Sequence, residues 1–408
     1  MVFDAKRMEA LKKRSLDILE MNRRHKDGYQ YTQPSPSTYP YQWLWDSCFH
    51  ATVLSYFSPE DAKKELRALL SHQFENGMVP HMIYWERGDL INIPWGKEHT
   101  SSITQPPVLA KVMWKLFERD HDMAFLKEFY PNLFHFYNYL LTERDPREHN
   151  LAGIINPDES GEDNSPRFDT ALKLPVDHTL RESLESRIKL VEQLHTCNFD
   201  APFCMKEYFW VKDVPFNAIL KENLEALADI SACIGYPEEA LRYRAHAASI
   251  AKAMRERMLE GGVFWSTLGA DFSKIKVKTW AIFAPLYAGL LSPTEARVLV
   301  DEHLLNPKEF RTTFMVPTVS IDEPSYDPVG FWRGPTWIGT NWFIFHGLLR
   351  YNRIDVAERL LESSATLLER SGFREYFHPD TGEGAGAKDF TWGALIVDMF
   401  ESLAARTA

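Results

Sequence analysis

Apolar residues in this chain recur mostly at steps of three and four, and that period constrains the fold more than any other feature. Phe216, Leu220, Leu224, Leu227, Ile230 and Ile234 form one such stripe, and Ile354, Ala357, Leu360, Leu361 and Leu368 form another. Each is a helix face that something else must cover. Helix start signals recur as well: Ser292-Pro293-Thr294-Glu295 is a capping box with proline at the first helical position, and Ser58-Pro59-Glu60-Asp61 is a weaker copy. The pattern predicts roughly a dozen helices, near 5–25, 44–57, 59–75, 105–119, 122–143, 177–195, 214–234, 237–258, 277–290, 293–304, 335–351, 353–370 and 389–405. Short connections make antiparallel hairpins, and six or seven hairpins in one chain close most naturally into a ring. The expected fold is therefore all-α, an (α/α)6 toroid of paired helices, with 1–408 as a single domain.

Longer segments rich in Trp, Tyr, Pro and Gly separate the pairs, at 28–43, 76–104, 152–176, 198–213, 259–276, 306–334 and 371–388. In a toroid, those on one rim meet over the central funnel, so distant loops converge. The segments 76–104 and 152–213 are long enough to form a small cap there.

Composition narrows the partners. A chain of 408 residues that is 45% hydrophobic and 25% charged buries a large core. Its net charge of -11 disfavours nucleic acid and anionic membrane surfaces, which require clustered Lys and Arg. The start, Met1-Val2-Phe3-Asp4-Ala5-Lys6-Arg7, leads into a charged helix, and no long apolar run follows, so a cytoplasmic protein with no membrane span is expected. Of Cys48, Cys197, Cys204 and Cys233, none forms a C-x-x-C pair, and Cys197 and Cys204 could in principle bridge. Scattered cysteines of this kind are expected as small buried hydrophobes instead. There is no glycine-rich phosphate loop, H-x-x-H, H-E-x-x-H or G-x-S-x-G, so neither a metal nor a cofactor is expected. Whether the chain forms a homo-oligomer is left open.

The 12 Trp and 16 Tyr concentrate in a few loops beside Asp, Arg and Gly. Rings on the apolar faces of a sugar, with carboxylates and amides on its hydroxyls, produce that mixture. An aromatic-rich helical core produces it too. Four segments carry the chemistry. The first, Tyr39-Pro40-Tyr41-Gln42-Trp43-Leu44-Trp45-Asp46, brings an acid to a helix N-terminus among aromatic rings, where Asp46 either caps free N–H groups or holds sugar hydroxyls. The second, Asn156 to Asp169, holds Asp158, Glu159, Glu162, Asp163 and Asp169 with Arg167 and no regular period; composition alone favours a salt-bridged or solvated loop. The third, Gly330-Phe331-Trp332-Arg333-Gly334-Pro335-Thr336-Trp337, sets an arginine among tryptophans between glycine hinges. The fourth, Phe373-Arg374-Glu375-Tyr376-Phe377, places one carboxylate between bulky rings that desolvate it. Glycoside hydrolysis needs two such acids, one to protonate the leaving oxygen and one to activate water or attack.

Together these segments resemble glycoside hydrolase family 63, a family of inverting (α/α)6-barrel enzymes related to the trehalases. The resemblance rests on QWLWDS at 42–47, ESGEDNSPRFD at 159–169, GFWRGPTWIGTNW at 330–342, and REYFHPDTGEG with FTW at 374–392. It implies that Asp163 is the general acid and Glu375 the general base, with Glu162 non-catalytic. It also implies that Trp43, Trp45, Asp46, Arg167, Trp332, Arg333 and Trp392 build the sugar subsite, with Tyr39, Gln42 and Trp337 of the same segments as further substrate-binding candidates. Chain length and Tyr31 to Pro40 look like the bacterial branch that hydrolyses mannosylglycerate and glucosylglycerate, whose carboxylate calls for a cationic or hydroxyl-rich pocket. Tyr31, His81, Gln105 and Arg87 are the candidates for that pocket. An inverting enzyme is expected to hold its two carboxyls roughly 6.5–9.5 Å apart. The partner is then a small glycoside; an oligosaccharide α-glucosidase, a sugar epimerase and a non-catalytic sugar-binding scaffold are the competing readings.

Overall fold

The computed structural model describes residues 4–86, 93 and 95–407. Its helices are α1 (Ala5–Asn22), α2 (Leu44–Leu54), α3 (Pro59–Leu70), α4 (Leu109–Asp120), α5 (Met123–Thr142), α6 (Asp169–Leu172), α7 (Leu180–Thr196), α8 (Ala201–Glu207), α9 (Val214–Cys233), α10 (Pro237–Arg257), α11 (Ala284–Tyr287), α12 (Pro293–Leu299), α13 (Ile338–Arg350), α14 (Ile354–Ser371) and α15 (Ile396–Thr407). Six of them touch in succession around a ring: α2 on α4, α4 on α9, α9 on α11, α11 on α13, α13 on α15, and α15 back on α2. Outside them, α3 packs on α2 and α4, α5 on α4 and α9, α10 on α9, α14 on α13 and α15, and α1 on α15. The expected (α/α)6 toroid is thus present.

Residue choice sorts the two layers. Every residue of α2 is buried, as is most of α13 and α9, because an inner helix meets neighbours on all sides. The outer α3 and α14 bury one stripe, such as Val356, Ala357, Leu360 and Leu361, and leave the rest polar. Asp398 of α15 accepts hydrogen bonds from Tyr56 Oη (2.6 Å), Trp342 Nε1 (2.7 Å) and His346 Nε2 (2.8 Å) and pairs with Lys115. One buried carboxylate therefore ties the turn after α2 to α4, α13 and α15.

Several boundaries differ from expectation for local reasons. The first helix stops at Asn22 because Asp27-Gly28, both at positive φ, turns Arg23–Lys26 back on Tyr29–Thr32 as a hairpin. Pro106 and Pro107 delay the helix predicted from 105 until Leu109. The stretch 277–290 splits into a 3₁₀ turn, Trp280–Phe283, and the single turn of α11. In 198–213, Asp200 caps the unforeseen α8, which is too short to show a period.

The cysteine expectation is corrected: Cys197 and Cys204 form a disulfide. Asn198 and Phe199 adopt left-handed φ of 50° and 54° and fold the end of α7 back on α8, which brings the two Cα atoms to 6.5 Å. Cys48 and Cys233 are free thiols. Among the described residues, no helix is long and apolar enough to cross a membrane.

Candidate active site

The long loops border a cavity of about 410 Å³, a size suited to a small ligand. Its apolar wall is aromatic. Trp332 and Trp337 stack with ring centroids 3.7 Å apart and planes 9° from parallel, and Trp392 stands edge-on to Trp45 at 4.9 Å. Gly161 passes directly beneath the Trp45 ring at a φ of +76°, where a Cβ would collide with it. Asp46 faces the cavity from the first turn of α2 and accepts the Trp392 indole N–H at 2.6 Å. Burial raises its pKa to about 6.

The acidic run is not solvated. Four of its five carboxylates are each gripped by an arginine through two nitrogens: Asp158 by Arg187 (2.9 and 2.5 Å), Glu159 by Arg144 (2.7 and 2.5 Å), Glu162 by Arg167 (2.8 and 2.8 Å), and Asp169 by Arg333 (3.0 and 2.8 Å). Asp163 is the exception. Its arginine contact is a single one, 2.5 Å from Oδ2 to Arg187 Nη1, with a guanidinium already engaged by Asp158, and its side chain stays 22% exposed at the cavity wall. Desolvation raises its pKa to about 6, with Asp158 adding to the rise and Arg187 opposing it.

Also on the cavity lining, Glu375 comes from the strand Arg374–Phe377, paired with Gly384–Lys388. Its Oε1 accepts the Tyr39 hydroxyl at 2.7 Å and its Oε2 the Ala387 N–H at 2.7 Å. Gly386, at a φ of +66°, allows that approach, because a Cβ there would strike Oε2. Burial raises the Glu375 pKa to about 7, against the lowering effect of these two donors. Two carboxyls whose pKa values burial raises therefore share one cavity, an arrangement suited to general acid–base chemistry.

The remaining expected residues divide. Tyr39, Trp43, His81 and Gln105 line the cavity with the residues above. His81 bonds Ser101 Oγ at 2.6 Å and is held neutral, its pKa lowered to about 3 by burial. Gln42, Arg167 and Arg333 are not on the wall. Gln42 is buried against Ser47 and the Trp85 indole; Arg167 joins Glu162 to Asp213, the N-cap of α9; Arg333 holds Asp169, which also bonds His178. Tyr31 stacks on Trp85 at 5.1 Å, away from the cavity, and Arg87 lies outside the described residues. Sequence reasoning missed Arg187, the arginine that α7 supplies to the wall. It also missed Asn164, whose side chain accepts the Trp332 N–H at 3.0 Å and donates to Gly330 O at 3.3 Å.

The family model described as the mannosylglycerate hydrolase MGH1-like glycoside hydrolase domain matches residues 39–393. The chain is 33% identical over 94% of its length to a mannosylglycerate hydrolase of Thermus thermophilus, of which 98% is covered. It is 28% identical over 90% of its length to the glucosylglycerate hydrolase of Mycolicibacterium hassiacum, of which 93% is covered. The crystal structure of a GH63 mannosylglycerate hydrolase from Thermus thermophilus in complex with Tris and D-glycerate superposes with a TM-score of 0.87 at 31% identity, over 96% of this chain and all of that one. By that family model over most of its length and by its likeness to the Thermus thermophilus enzyme, this chain belongs to the mannosylglycerate hydrolase MGH1-like family of glycoside hydrolases.

Proposed function

We propose that the chain hydrolyses a small α-glycoside whose aglycone is an acid, mannosylglycerate or glucosylglycerate, with inversion at the anomeric carbon. The observation that carries this reading is the company of Arg187 on the cavity wall: a guanidinium suited to a carboxylate lies directly beside Asp163, the one acid of the run without its own arginine fork. Relatives named for mannosylglycerate and glucosylglycerate, and one crystallised with D-glycerate, support the same substrate class.

In this reading Trp332 and Trp45 take the faces of the sugar and Asp46 its hydroxyls, while Trp337, stacked between Trp332 and Tyr376, backs the platform. Asp163 gives its proton to the glycosidic oxygen. Glu375, oriented by Tyr39 and Ala387, takes a proton from the water that attacks the anomeric carbon from the opposite face. The products are the free sugar and glycerate. The described residues of 76–104 and 152–213, which contribute His81, Trp95, Asp163 and Arg187 to the wall, act as the cap over the aglycone. The reading needs no cofactor or macromolecular partner and includes a cytoplasmic location.

Proton NMR of the sugar released from mannosylglycerate and from glucosylglycerate tests it. The first-formed anomer is expected to be β, and Asp163→Asn is expected to abolish turnover. An α product, turnover only of kojibiose- or nigerose-type disaccharides, or full activity in Asp163→Asn contradicts it.

A further inference from the structure

Arg187 serves two acids at once, and that sharing has a chemical consequence. Its Nε and Nη2 hold Asp158, and its Nη1 holds Asp163 at 2.5 Å. The three side chains together carry one positive and two negative charges when all are ionised. An incoming carboxylate at Arg187 would meet a surplus of negative charge, which is relieved if one acid takes up a proton. Asp158 keeps a two-nitrogen fork, whereas Asp163 has a single contact with the guanidinium and faces the cavity. Asp163 is thus the acid that yields.

We propose that the carboxylate of the aglycone competes with Asp163 for Arg187, so that binding an anionic substrate places the proton on Asp163. This rests on the substrate class proposed above and extends it: Arg187 becomes a residue that links recognition of the anion to arming of the general acid. The proton comes from solvent or buffer, is held on an Asp163 oxygen, and is the one later given to the glycosidic oxygen. No bond other than that O–H forms or breaks in the arming step.

The charged and titratable groups around Asp163 support the direction. Asp158 stands beside it from the turn Pro157–Ser160, Glu375 from the strand Arg374–Phe377 and Tyr39 from the loop before α2. Asp46 faces Glu375 from α2, and His81, near Asp158 and Arg187, is neutral. Arg187 is thus the cation that favours ionised Asp163, and engaging it elsewhere removes that support. Burial raises the pKa of Asp163 and of Glu375 alike, and an anion that draws Arg187 away raises that of Asp163 further.

Calorimetric titration of D-glycerate into the enzyme, repeated in two buffers of different ionisation enthalpy, counts the protons. A like charge beside a carboxyl raises its pKa by about one to three units, so uptake between about a quarter of a proton and one proton per glycerate is expected near pH 7.5. Uptake is expected to fall below about a tenth of a proton near pH 5, where Asp163 is already protonated. In Asp163→Asn the uptake is expected to vanish while glycerate binds more tightly, since its competitor is gone. Glycerol, without the carboxylate, is expected to produce no uptake. Glycerate binding near pH 7.5 without uptake, or with the same uptake in Asp163→Asn, overturns the coupling and leaves the substrate class standing. No glycerate binding in either protein overturns both.

Discussion

Replacing Tyr39 with phenylalanine removes one hydroxyl, and its effect should be read in a pH profile more than in a single rate. The Tyr39 O–H donates to Glu375 Oε1 at 2.7 Å, and Glu375 is 4% exposed, so the lost partner is not replaced by bulk water. A hydrogen bond to a charged group contributes about 1.5–3 kcal/mol. At 1.36 kcal/mol per pKa unit, that stabilisation of the ionised form corresponds to about one to two units. The donor favours the charged carboxylate, so its loss raises the Glu375 pKa from about 7 to about 8–9. Glu375 accepts a proton only when ionised. Near pH 6 the variant should therefore have kcat/KM about ten- to a hundredfold below wild type, with the lower figure if water enters the vacated space. Above about pH 9 Glu375 is ionised in both proteins, and the profiles should converge. Steady-state hydrolysis of mannosylglycerate across that range is the assay. A uniform loss at every pH would mean that Tyr39 acts on the sugar and not on the base, and an unchanged profile would remove Glu375 as the base.

Other substitutions and a labelling experiment probe the frame around the site. Asp398→Ala strands the partly buried Lys115, His346 and Tyr56 and the buried Trp342 indole, and should cost about 3–5 kcal/mol in chemical denaturation; a loss below about 1 kcal/mol contradicts the reading of Asp398 as the tie of the inner ring. Because the folded pKa of Asp398 lies well below its ordinary value, its contribution is present above about pH 4 and is lost as pH falls through the folded value, so wild type and variant should approach each other in strong acid. Gly161→Ala, at positive φ beneath Trp45, should displace that ring and lower kcat/KM about ten- to a hundredfold, and wild-type kinetics would show that the ring's position is immaterial. Alkylation of the unfolded protein without reductant should label Cys48 and Cys233 and spare Cys197 and Cys204, all four reacting after reduction; protein quenched directly from a reducing cytoplasm should label at all four.

The helices were legible where apolar residues keep steps of three and four: the stripe Phe216 to Ile234 reads as a helix from spacing alone, and α9 spans it. The hairpin at Asp27-Gly28 was legible in principle, since Asp-Gly is a strong turn signal, but the helical pattern leading to it prevailed. In the acidic run, composition favoured paired or solvated charge, and pairing is the outcome for Asp158, Glu159, Glu162 and Asp169. Which arginine takes which acid was not legible, because Arg144, Arg187 and Arg333 lie on other elements. Arg167 and Arg333 were expected on the sugar because they sit in motifs, yet the fold uses both to hold loops. Arg187 carried no signal that separates it from Arg181 on the same helix, which is 86% exposed and pairs only with Glu185. The difference between them is a rotation about the axis of α7 relative to a cavity built by other loops, and one chain segment does not encode that.

The Asn164 amide constrains how this scaffold can be altered. Asn164 follows Asp163 in the chain and hydrogen-bonds both Gly330 and Trp332, while Arg333, the residue after Trp332, grips Asp169 at the far end of the acidic run. The proposed proton donor and the tryptophan proposed to receive the sugar are thus mounted on a single frame fastened at both ends. An engineer who reshapes 330–333 to admit a different sugar will tilt the donor as well, so changes of specificity in this scaffold have to be made in both loops together. A library that varies 163–169 and 330–333 as one unit should yield active variants where libraries of either loop alone yield folded but idle ones.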